Sequence, residues 1–360
     1  MKDTKALLQQ LTDLNGIAGH EYNIKKVMND LLEPNSDEMI YDNLGGVFGK
    51  KYSKTGQRTI MIAGHLDEIG FMITKIDDNG FIRFTQVGSW WNQVMLSQKV
   101  TITTDEGRQI RGIIGSKPPH VLTPEERKRP VEMKHMFIDV GAKDKAEVEA
   151  AGIEIGNMIT PYSEFETLLN EDYMTAKAFD NRFGCAVAVD VMDELKDEDI
   201  NVNLVAGANV QEEVGLRGAK VAAHKVKPDL AIAVDVGVAY DTPGLESNGD
   251  TKVGNGPIVL NLDATNIGHV GLIRHVKNVA KANGIDLQWD SIPGGGTDAG
   301  SFHTALDGIP SIALSLPLRY MHSNVSILSR KDYQAVVKLV TEIIRALNDE
   351  VIDEIIWQNI

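Results

Sequence analysis

The sequence predicts an α/β fold: a mostly parallel sheet covered by helices on both faces, with a small all-β barrel domain inserted into it. Three observations lead to this prediction. Near both ends of the chain, apolar runs typical of strands alternate with helical patterns, and this alternation is typical of a parallel sheet. Over residues 69–161, short strands recur between turn residues, as in a small barrel or sandwich. The chain has 360 residues, enough for a large core and more than one domain.

Composition limits the classes of function. Hydrophobic residues make up 42% of the chain and charged residues 24%, as in ordinary globular proteins. The net charge of -15 argues against nucleic acid or an anionic membrane as a partner. The single cysteine, Cys185, excludes a disulfide framework and lies in an apolar run, so we expect a core residue. No apolar stretch is long enough to be a signal core or a membrane span, and we expect a cytoplasmic protein.

The first half of the chain supplies the start of the α/β fold and the insert. Apolar residues at helical spacing predict two helices within residues 3–33, separated by a break at residues 15–20. Strands are predicted over residues 45–50 and 59–63. The insert has predicted strands over residues 71–76, 81–87, 99–104, 109–114 and 136–140. A proline-rich, charged stretch at residues 117–130 predicts a long exposed loop.

The α/β pattern returns after residue 161. Strands are predicted over residues 202–210, 230–236 and 309–316. Helices are predicted over residues 180–195, 218–224, 267–283 and 330–351. We therefore expect residues 1–68 and 162–360 to form one discontinuous catalytic domain around the inserted barrel of residues 69–161.

Possible metal ligands follow several of these strands or open a helix. They are His65, Asp67, Asp180, Glu212, Glu213, Asp235 and His322. Because parallel strands end at the same edge of a sheet, we expect these side chains to converge. Imidazoles mixed with several carboxylates suit zinc, cobalt or manganese. The neighbours Glu212 and Glu213 repel each other unless a cation or a shared proton holds them, and on an extended strand end they would face opposite sides.

Two other stretches partly match known site motifs. His20-Glu21 lacks the second histidine of a zinc-protease helix, because residue 24 is isoleucine. The glycine run at residues 294–300 lacks the Lys-Ser/Thr ending of a phosphate loop, so nucleotide binding is not expected. A tight turn beside the metal site fits the run better, with Thr297 and Asp298 as contacts. His120, in the proline-rich loop, is a further candidate for a role in a neighbouring subunit.

Taken together, these stretches resemble the tetrahedral aminopeptidases, cobalt- or zinc-dependent metallopeptidases that include bacterial glutamyl aminopeptidase. The matching stretches span nearly the whole chain in order, and they lie at residues 63–70, 177–182, 208–218, 234–235, 294–300 and 319–323. The resemblance implies two divalent ions, Zn²⁺ or Co²⁺, bridged by Asp180. It places His65 and Asp235 on one ion. Glu213 and His322 complete the other.

The same resemblance implies further roles. Glu212 would be the general base, and Asp67 would accept the other N–H of His65 and fix its tautomer. The peptide bond after Asp180 would be cis. The chain would release N-terminal residues, preferably Glu or Asp, from short peptides, and the barrel would build dimers that assemble into a tetrahedral dodecamer.

The cation that an acidic substrate side chain would need is left open by the sequence. Lys177, Arg217 and Arg319 all lie near the site motifs. The alternatives are a broad or leucyl-type aminopeptidase, a carboxypeptidase or deacylase of related fold, and a non-catalytic peptide-binding relative.

Overall fold

The structure, a computed structural model, describes residues 3–245 and 247–357 and confirms the predicted fold class. The chain begins with two helices, α1 (Thr4–Thr12) and α2 (Tyr22–Leu32). Three strands of the central sheet follow, namely β1 (Glu38–Tyr41), β2 (Val47–Lys51) and β3 (Thr59–His65). The two N-terminal helices and the break between them are as predicted.

The inserted segment folds into a closed barrel. Its strands are β4 (Gly70–Ile76), β5 (Ile82–Val87), β6 (Lys99–Thr103), β7 (Gln109–Gly115), β8 (Phe137–Asp139) and β9 (Met158–Pro161). They close in the order β4-β5-β8-β7-β6-β9, and helix α3 (Lys145–Ala150) precedes the last strand. Phe71 packs edge-on against Phe84 and stacks on Trp90 in the barrel core. The proline-rich stretch lies outside this core and is mostly exposed, as predicted.

After the barrel, strands and helices alternate to the end of the described chain. The strands are β10 (Glu166–Thr167), β11 (Tyr173–Ala176), β12 (Asn203–Asn209), β13 (Leu230–Val238), β14 (Ile258–Leu262), β15 (Gln288–Ser291), β16 (Ser311–Leu318) and β17 (Ser326–Ser329). The helices are α4 (Phe179–Leu195), α5 (Arg217–Val226), α6 (Val270–Ala282), α7 (Asp298–His303), α8 (Arg330–Arg345) and α9 (Asp349–Trp357). Strands β10, β11 and β17 form a small separate sheet, which the sequence did not predict.

The central sheet has a parallel middle and mixed edges. Its strands lie in the order β1-β2-β12-β3-β13-β16-β14-β15. β12, β3, β13 and β16 are parallel neighbours. β2 runs antiparallel to β12, and β14 runs antiparallel to β16. The carboxyl ends of the four middle strands therefore meet at one edge of the sheet.

Alternating side chains on β3 explain the two helical layers. Ile60 and Ile62 join the larger core, which includes residues of α1, α2, α4, α6, α8 and α9. Met61 and Ala63 point to the opposite face and join a smaller core that includes residues of α5 and α7. Because successive strand residues face opposite sides, an uninterrupted apolar run can bury both faces of the sheet. This confirms the prediction of helices on both faces.

The predicted C-terminal helix over residues 330–351 is wrong. The structure contains two helices there, α8 and α9, and Asn348 lies between them. The side-chain oxygen of Asn348 accepts the N–H of Val351 at 2.8 Å. Such a contact caps the start of a new helix. Among the residues that the structure describes, no helix has the length and apolarity needed to cross a bilayer.

Candidate metal centre

The predicted ligands converge where the parallel strands end. His65 is the last residue of β3, and Asp235 lies within β13. Asp67 follows β3 but is outside the described cavity lining, and the other members follow β12 or β16 or lie at the start of α4. One cavity of ≈ 380 Å³ is lined by His65, Asp180, Glu212, Glu213, Asp235 and His322. The convergence that was expected from parallel strands is therefore present.

Asp180 lies between the two histidines. Its Oδ1 is 3.3 Å from Nε2 of His65, and its Oδ2 is 3.3 Å from Nε2 of His322. A close approach of β3 and α4 makes this possible, because a Cβ atom on Gly64 would lie only 2.6 Å from the backbone of Gly184. One carboxylate thus offers a separate oxygen to each side, which is the geometry that bridging two ions requires.

The backbone around Asp180 is irregular. Ala178 has a left-handed conformation with φ of 57°, and the backbone at Asp180 and Asn181 is not helical. The peptide bond between Asp180 and Asn181 is cis, as the resemblance implied. The Asn181 side chain accepts the N–H of Gly184 at 2.9 Å and donates to the carbonyl of Val234 at 2.8 Å. Asp180 therefore precedes the regular part of α4, and Asn181 ties that turn to the neighbouring strand β13.

Glu212 and Glu213 lie in a turn rather than on the extended strand that the sequence suggested. β12 ends at Asn209, and Gln211 has a positive φ of 56°. Glu212 Oε2 is 3.8 Å from Nε2 of His65, while Glu213 Oε2 is 3.5 Å from Nε2 of His322. Glu212 and Glu213 do face different histidines. The turn, rather than the alternation of side chains along a strand, directs their side chains apart.

Asp67 contacts this turn in a way that was not predicted. Its carboxylate accepts the N–H of Glu212 at 3.0 Å and the N–H of Glu213 at 3.1 Å. His65 Nδ1 is 3.0 Å from the backbone oxygen of Asp67 and 3.6 Å from its carboxylate. Because a carbonyl oxygen only accepts, Nδ1 carries a proton, and Nε2 faces Asp180 in the cavity. Asp67 therefore faces Nδ1 of His65 with both its backbone oxygen and its carboxylate, and the backbone oxygen is the nearer.

The crowded carboxylates perturb each other strongly. Burial and the charge of Asp180 raise the pKa of Glu213 to about 8, and burial with the same charge raises that of Asp235 to about 8. Burial also raises the pKa of Glu212. Burial would raise the pKa of Asp180 as well, but hydrogen bonds from His322 and His65 hold it below its usual range. Such a cluster attracts cations, because a positive charge would relieve both the burial and the repulsion.

These residues fit a divalent metal. His65, Asp180 and Glu213 can each place one donor atom within 4.8 Å of the others, and so can His65, Glu212 and Asp235. Glu213 Oε1 is buried and has no hydrogen-bond partner among the described residues. An unpartnered buried carboxylate oxygen is costly unless a cation meets it. Imidazole nitrogens with carboxylate oxygens form a donor set typical of zinc and similar metals.

A buried ionic cluster behind the site was missed by sequence reasoning. The ammonium of Lys177 is 2.7 Å and 2.9 Å from the two oxygens of Glu68. The guanidinium of Arg182 lies 3.6 Å from the same carboxylate and donates to the carbonyl of Leu66 at 2.7 Å. All three charged side chains are buried. Only their place next to His65 and Asp180 in the chain could have indicated a supporting role.

The three candidate cations for an acidic substrate are all outside the described cavity lining. Lys177 is paired with Glu68. Arg319 forms a bidentate pair with Asp241, at 2.8 Å and 2.7 Å. Arg217 is exposed at the start of α5. His120 also lies on an exposed turn, outside the described lining.

The glycine run does form part of the cavity wall. Gly294, Gly295, Gly296 and Thr297 line it. Asp298 starts α7, is 2% exposed, and accepts a hydrogen bond from Asn209 at 2.7 Å. Burial raises the pKa of Asp298 to about 7. Asp298 thus holds the end of β12 from behind the cavity.

Replacing Lys177 with methionine should destabilise the fold without changing substrate preference. Breaking a buried ion pair leaves Glu68 uncompensated and typically costs about 3–5 kcal/mol. Urea unfolding measures the loss, and Lys26→Met, which changes an exposed lysine of α2, is the matched control. The ratio of kcat/KM for N-terminal Glu over Leu should stay at the wild-type value. A changed ratio at unchanged stability would assign Lys177 to specificity instead.

Comparison with known proteins gives one consistent result. A family model described as M42 glutamyl aminopeptidase matches residues 45–339, and a second model, AMPT, matches residues 2–28. FrvX of Escherichia coli (strain K12), named provisionally as an aminopeptidase, is 39% identical over 96% of both chains. The glutamyl aminopeptidase of Lactococcus lactis subsp. cremoris is 34% identical over 97% of this chain and 98% of its own. The lysyl aminopeptidase of Pyrococcus furiosus is 29% identical over 95% and 96%.

Solved structures agree with the sequence relatives. A TET aminopeptidase from a marine sediment archaeon of the Thaumarchaeota superposes with a TM-score of 0.94 at 39% identity, over 97% of this chain and 98% of its own. The Pyrococcus horikoshii TET1 peptidase, which can assemble into a tetrahedron or a large octahedral shell, gives 0.84 at 31% identity over 95% and 99%. The matches cover nearly the full length of each chain. The chain therefore belongs to the M42 family of metal-dependent aminopeptidases, which includes the TET enzymes.

Proposed function

We propose that this chain is a two-metal aminopeptidase that removes the N-terminal residue from short peptides. The observation that carries the proposal is the convergence of two imidazoles with Asp180, Glu212, Glu213 and Asp235, four of the five carboxylates that line one cavity of ≈ 380 Å³. In this proposal Asp180, His65 and Asp235 would hold one ion, and Asp180, Glu213 and His322 would hold the other. Zn²⁺ and Co²⁺ both suit these nitrogen and oxygen donors.

Glu212 is the proposed general base. When bound, the divalent ions polarise the scissile carbonyl and lower the pKa of water to about 7. The Glu212 carboxylate takes a proton from the attacking water and returns it to the leaving amine. Asp67 supports this role, because it holds the N–H groups of Glu212 and Glu213. Its backbone oxygen also keeps Nε2 of His65 directed to the site.

The side-chain preference is a separate part of the proposal. A preference for N-terminal Glu or Asp is supported by the description of the family model and by the Lactococcus relative. The cavity of this chain favours the broad or leucyl-type alternative. Its described lining includes no lysine or arginine, and a buried acidic side chain needs a cation or strong donors. The apolar part of the lining is formed by Leu216, Val236, Val238, Leu260, Ile292 and Met321.

A substrate panel tests both parts. The p-nitroanilides of Leu, Glu, Asp and Lys are compared by kcat/KM with defined metals, together with N-acetylated forms of the same substrates. We expect Leu to exceed Glu by about 10-fold or more, because the apolar wall stabilises only the former. N-acetylation should reduce kcat/KM by about 100-fold or more, since it removes the charged amine that the acidic cavity would bind.

Each opposite outcome has a defined meaning. Preference for Glu would favour the acidic alternative. Release of p-nitroaniline from the N-acetylated substrates at the full rate would contradict an aminopeptidase, and release of acetate instead would favour a deacylase. A purified chain that binds no metal and stays inactive with added Co²⁺ or Zn²⁺ would favour a non-catalytic peptide-binding relative.

We also propose that residues 69–161 form a dimerisation domain, and that residues 1–68 with 162–360 form the catalytic domain. Dimers would assemble into a tetrahedral dodecamer. Support comes from the assembly of the Pyrococcus horikoshii relative, whose chain matches this one over 95% of its length. Light scattering of the purified protein tests the assembly, and a mass near one 39.4 kDa subunit would contradict it.

A further inference from the structure

Glu21 is a buried carboxylate near the metal centre, and neither the proposed ligands nor the proposed base includes it. It is 5% exposed and immediately precedes α2. A residue in this position usually caps its own helix. The Glu21 side chain makes no such bond among the described residues; its Oε1 instead accepts the N–H of Gln211 at 3.0 Å, across 190 residues of sequence.

The turn that Glu21 contacts is strained. Gln211 has a φ of 56°, in the left-handed region that costs a residue with a side chain about 1–2 kcal/mol. Consecutive N–H groups of this turn all point at carboxylates. Gln211 donates to Glu21, and Glu212 and Glu213 donate to Asp67. A buried backbone N–H that is left without an acceptor costs about 1–3 kcal/mol. The two carboxylates can therefore hold a conformation that the sequence alone disfavours.

The loop that carries Glu21 is itself anchored. Lys177 donates to the carbonyl of Leu14 at 2.9 Å, and Arg182 donates to the carbonyl of Leu11 at 2.7 Å. Gly16 donates its N–H to Glu68 at 3.2 Å. The buried ionic cluster behind the site thus fixes the connection between α1 and α2. The segment that carries Glu21 is therefore held in place by these hydrogen bonds.

We infer that Glu21 is a positioning residue that orients the general base Glu212 by fixing the backbone of Gln211. This inference rests on the proposed function, in the role given to Glu212. Glu21 is not part of the described cavity lining and would act through the turn. Its hydrogen-bond acceptor, rather than its charge, is the feature that the turn requires, because the partner is a neutral peptide N–H.

Three substitutions of Glu21 test the inference. Glu21→Ala removes the acceptor, Glu21→Asp keeps the charge but withdraws it by one methylene, and Glu21→Gln keeps an acceptor at the same reach. We expect kcat to fall about 10- to 100-fold in the Ala variant, as for other supporting partners of a metal site. The Asp variant should be intermediate, and the Gln variant should retain most of the wild-type kcat. KM and bound metal should stay near wild type throughout.

Hydrogen exchange supplies a readout that does not depend on activity. Amides of a peptide covering residues 209–216 should exchange faster in Glu21→Ala than in wild type, and Glu21→Gln should restore protection. Glu147→Ala is the matched control, because Glu147 also accepts a backbone N–H, from Lys143 at 2.8 Å, but on the barrel. That variant should change neither kcat nor exchange in residues 209–216.

Several results would overturn the inference. One is wild-type kcat and exchange in Glu21→Ala. Another is a Gln variant as impaired as the Ala variant, which would make charge the operative property. Loss of metal in proportion to kcat would assign Glu21 to the whole site and not to Glu212. If Glu21→Ala does not fold, the same test uses the other two variants: reduced kcat in Glu21→Asp with near wild-type kcat in Glu21→Gln supports the inference, and any other pattern contradicts it. An inactive wild type would refute the proposed function. The hydrogen-exchange comparison of wild type with Glu21→Ala would still test whether Glu21 holds the turn at Gln211.

Discussion

Replacing Glu212 with glutamine should stop turnover while leaving the metal in place. The amide keeps the size of the side chain and its backbone bond to Asp67, but it cannot accept a proton from water. General-base catalysis typically contributes about 10²- to 10⁴-fold, and we expect kcat to fall by that factor. Steady-state kinetics on the preferred p-nitroanilide, with metal analysis of the same preparation, measures both effects.

The matched control is Glu171→Gln, which makes the same chemical change at an exposed position. It should leave both kcat and metal content unchanged. Wild-type turnover in Glu212→Gln would refute the assignment of the base. Loss of metal together with turnover would instead make Glu212 a ligand, a result compatible with its place beside His65 and Asp235.

Replacing Glu213 with glutamine should have the opposite signature, loss of metal first and of activity as a consequence. Glu213 Oε2 faces His322, and its other oxygen has no hydrogen-bond partner among the described residues. Loss of a charged donor should weaken metal binding by about 100-fold or more, beyond the effect of losing a supporting partner. Titration of the metal-free protein with Zn²⁺ or Co²⁺ measures this. Retention of wild-type affinity would remove Glu213 from the ligand set.

Without metal, the wild-type protein and Glu213→Gln should differ in how their stability depends on pH. The pKa of Glu213 is raised from 4.5 to about 8, so the folded metal-free protein binds a proton that the unfolded chain releases between these values. The contribution of Glu213 to stability therefore falls as pH rises from about 4.5 to 8. Glu213→Gln removes this contribution, and its melting temperature without metal should depend less steeply on pH. An equally steep dependence in both proteins would contradict this reading of the buried carboxylate.

Much of the centre could be predicted because its residues follow apolar runs. His65 and Asp235 lie at or near the ends of strands that are buried on both faces, and such runs are legible in sequence. The rule that parallel strands end at one edge then places them together. The barrel was predicted for a similar reason, since its turns recur at short intervals between alternating strands.

What the sequence could not supply is contact between distant polar residues. Glu21 and Gln211 are 190 residues apart, and neither carries a local pattern that indicates the other. Lys177 stood beside a site motif and was a candidate for substrate binding, yet its side chain turns away to Glu68. Side-chain direction depends on tertiary packing, which periodicity does not report. The turn at Glu212 was missed likewise, because a positive φ at Gln211 is unusual for glutamine.

Part of the cavity wall is carried by a separate segment of the chain, while the rest, such as Val236 and Met321, adjoins the proposed ligands. Leu260, Ile292 and the glycine run all lie between residues 258 and 297, a segment that contains none of the proposed ligands. Mutations there can reshape the wall while the chemistry is inherited unchanged. Such separation lets this part of the wall vary independently of the ligands, and relatives of this chain are named glutamyl and lysyl aminopeptidases. It also makes this segment the natural target for directed evolution of new specificities.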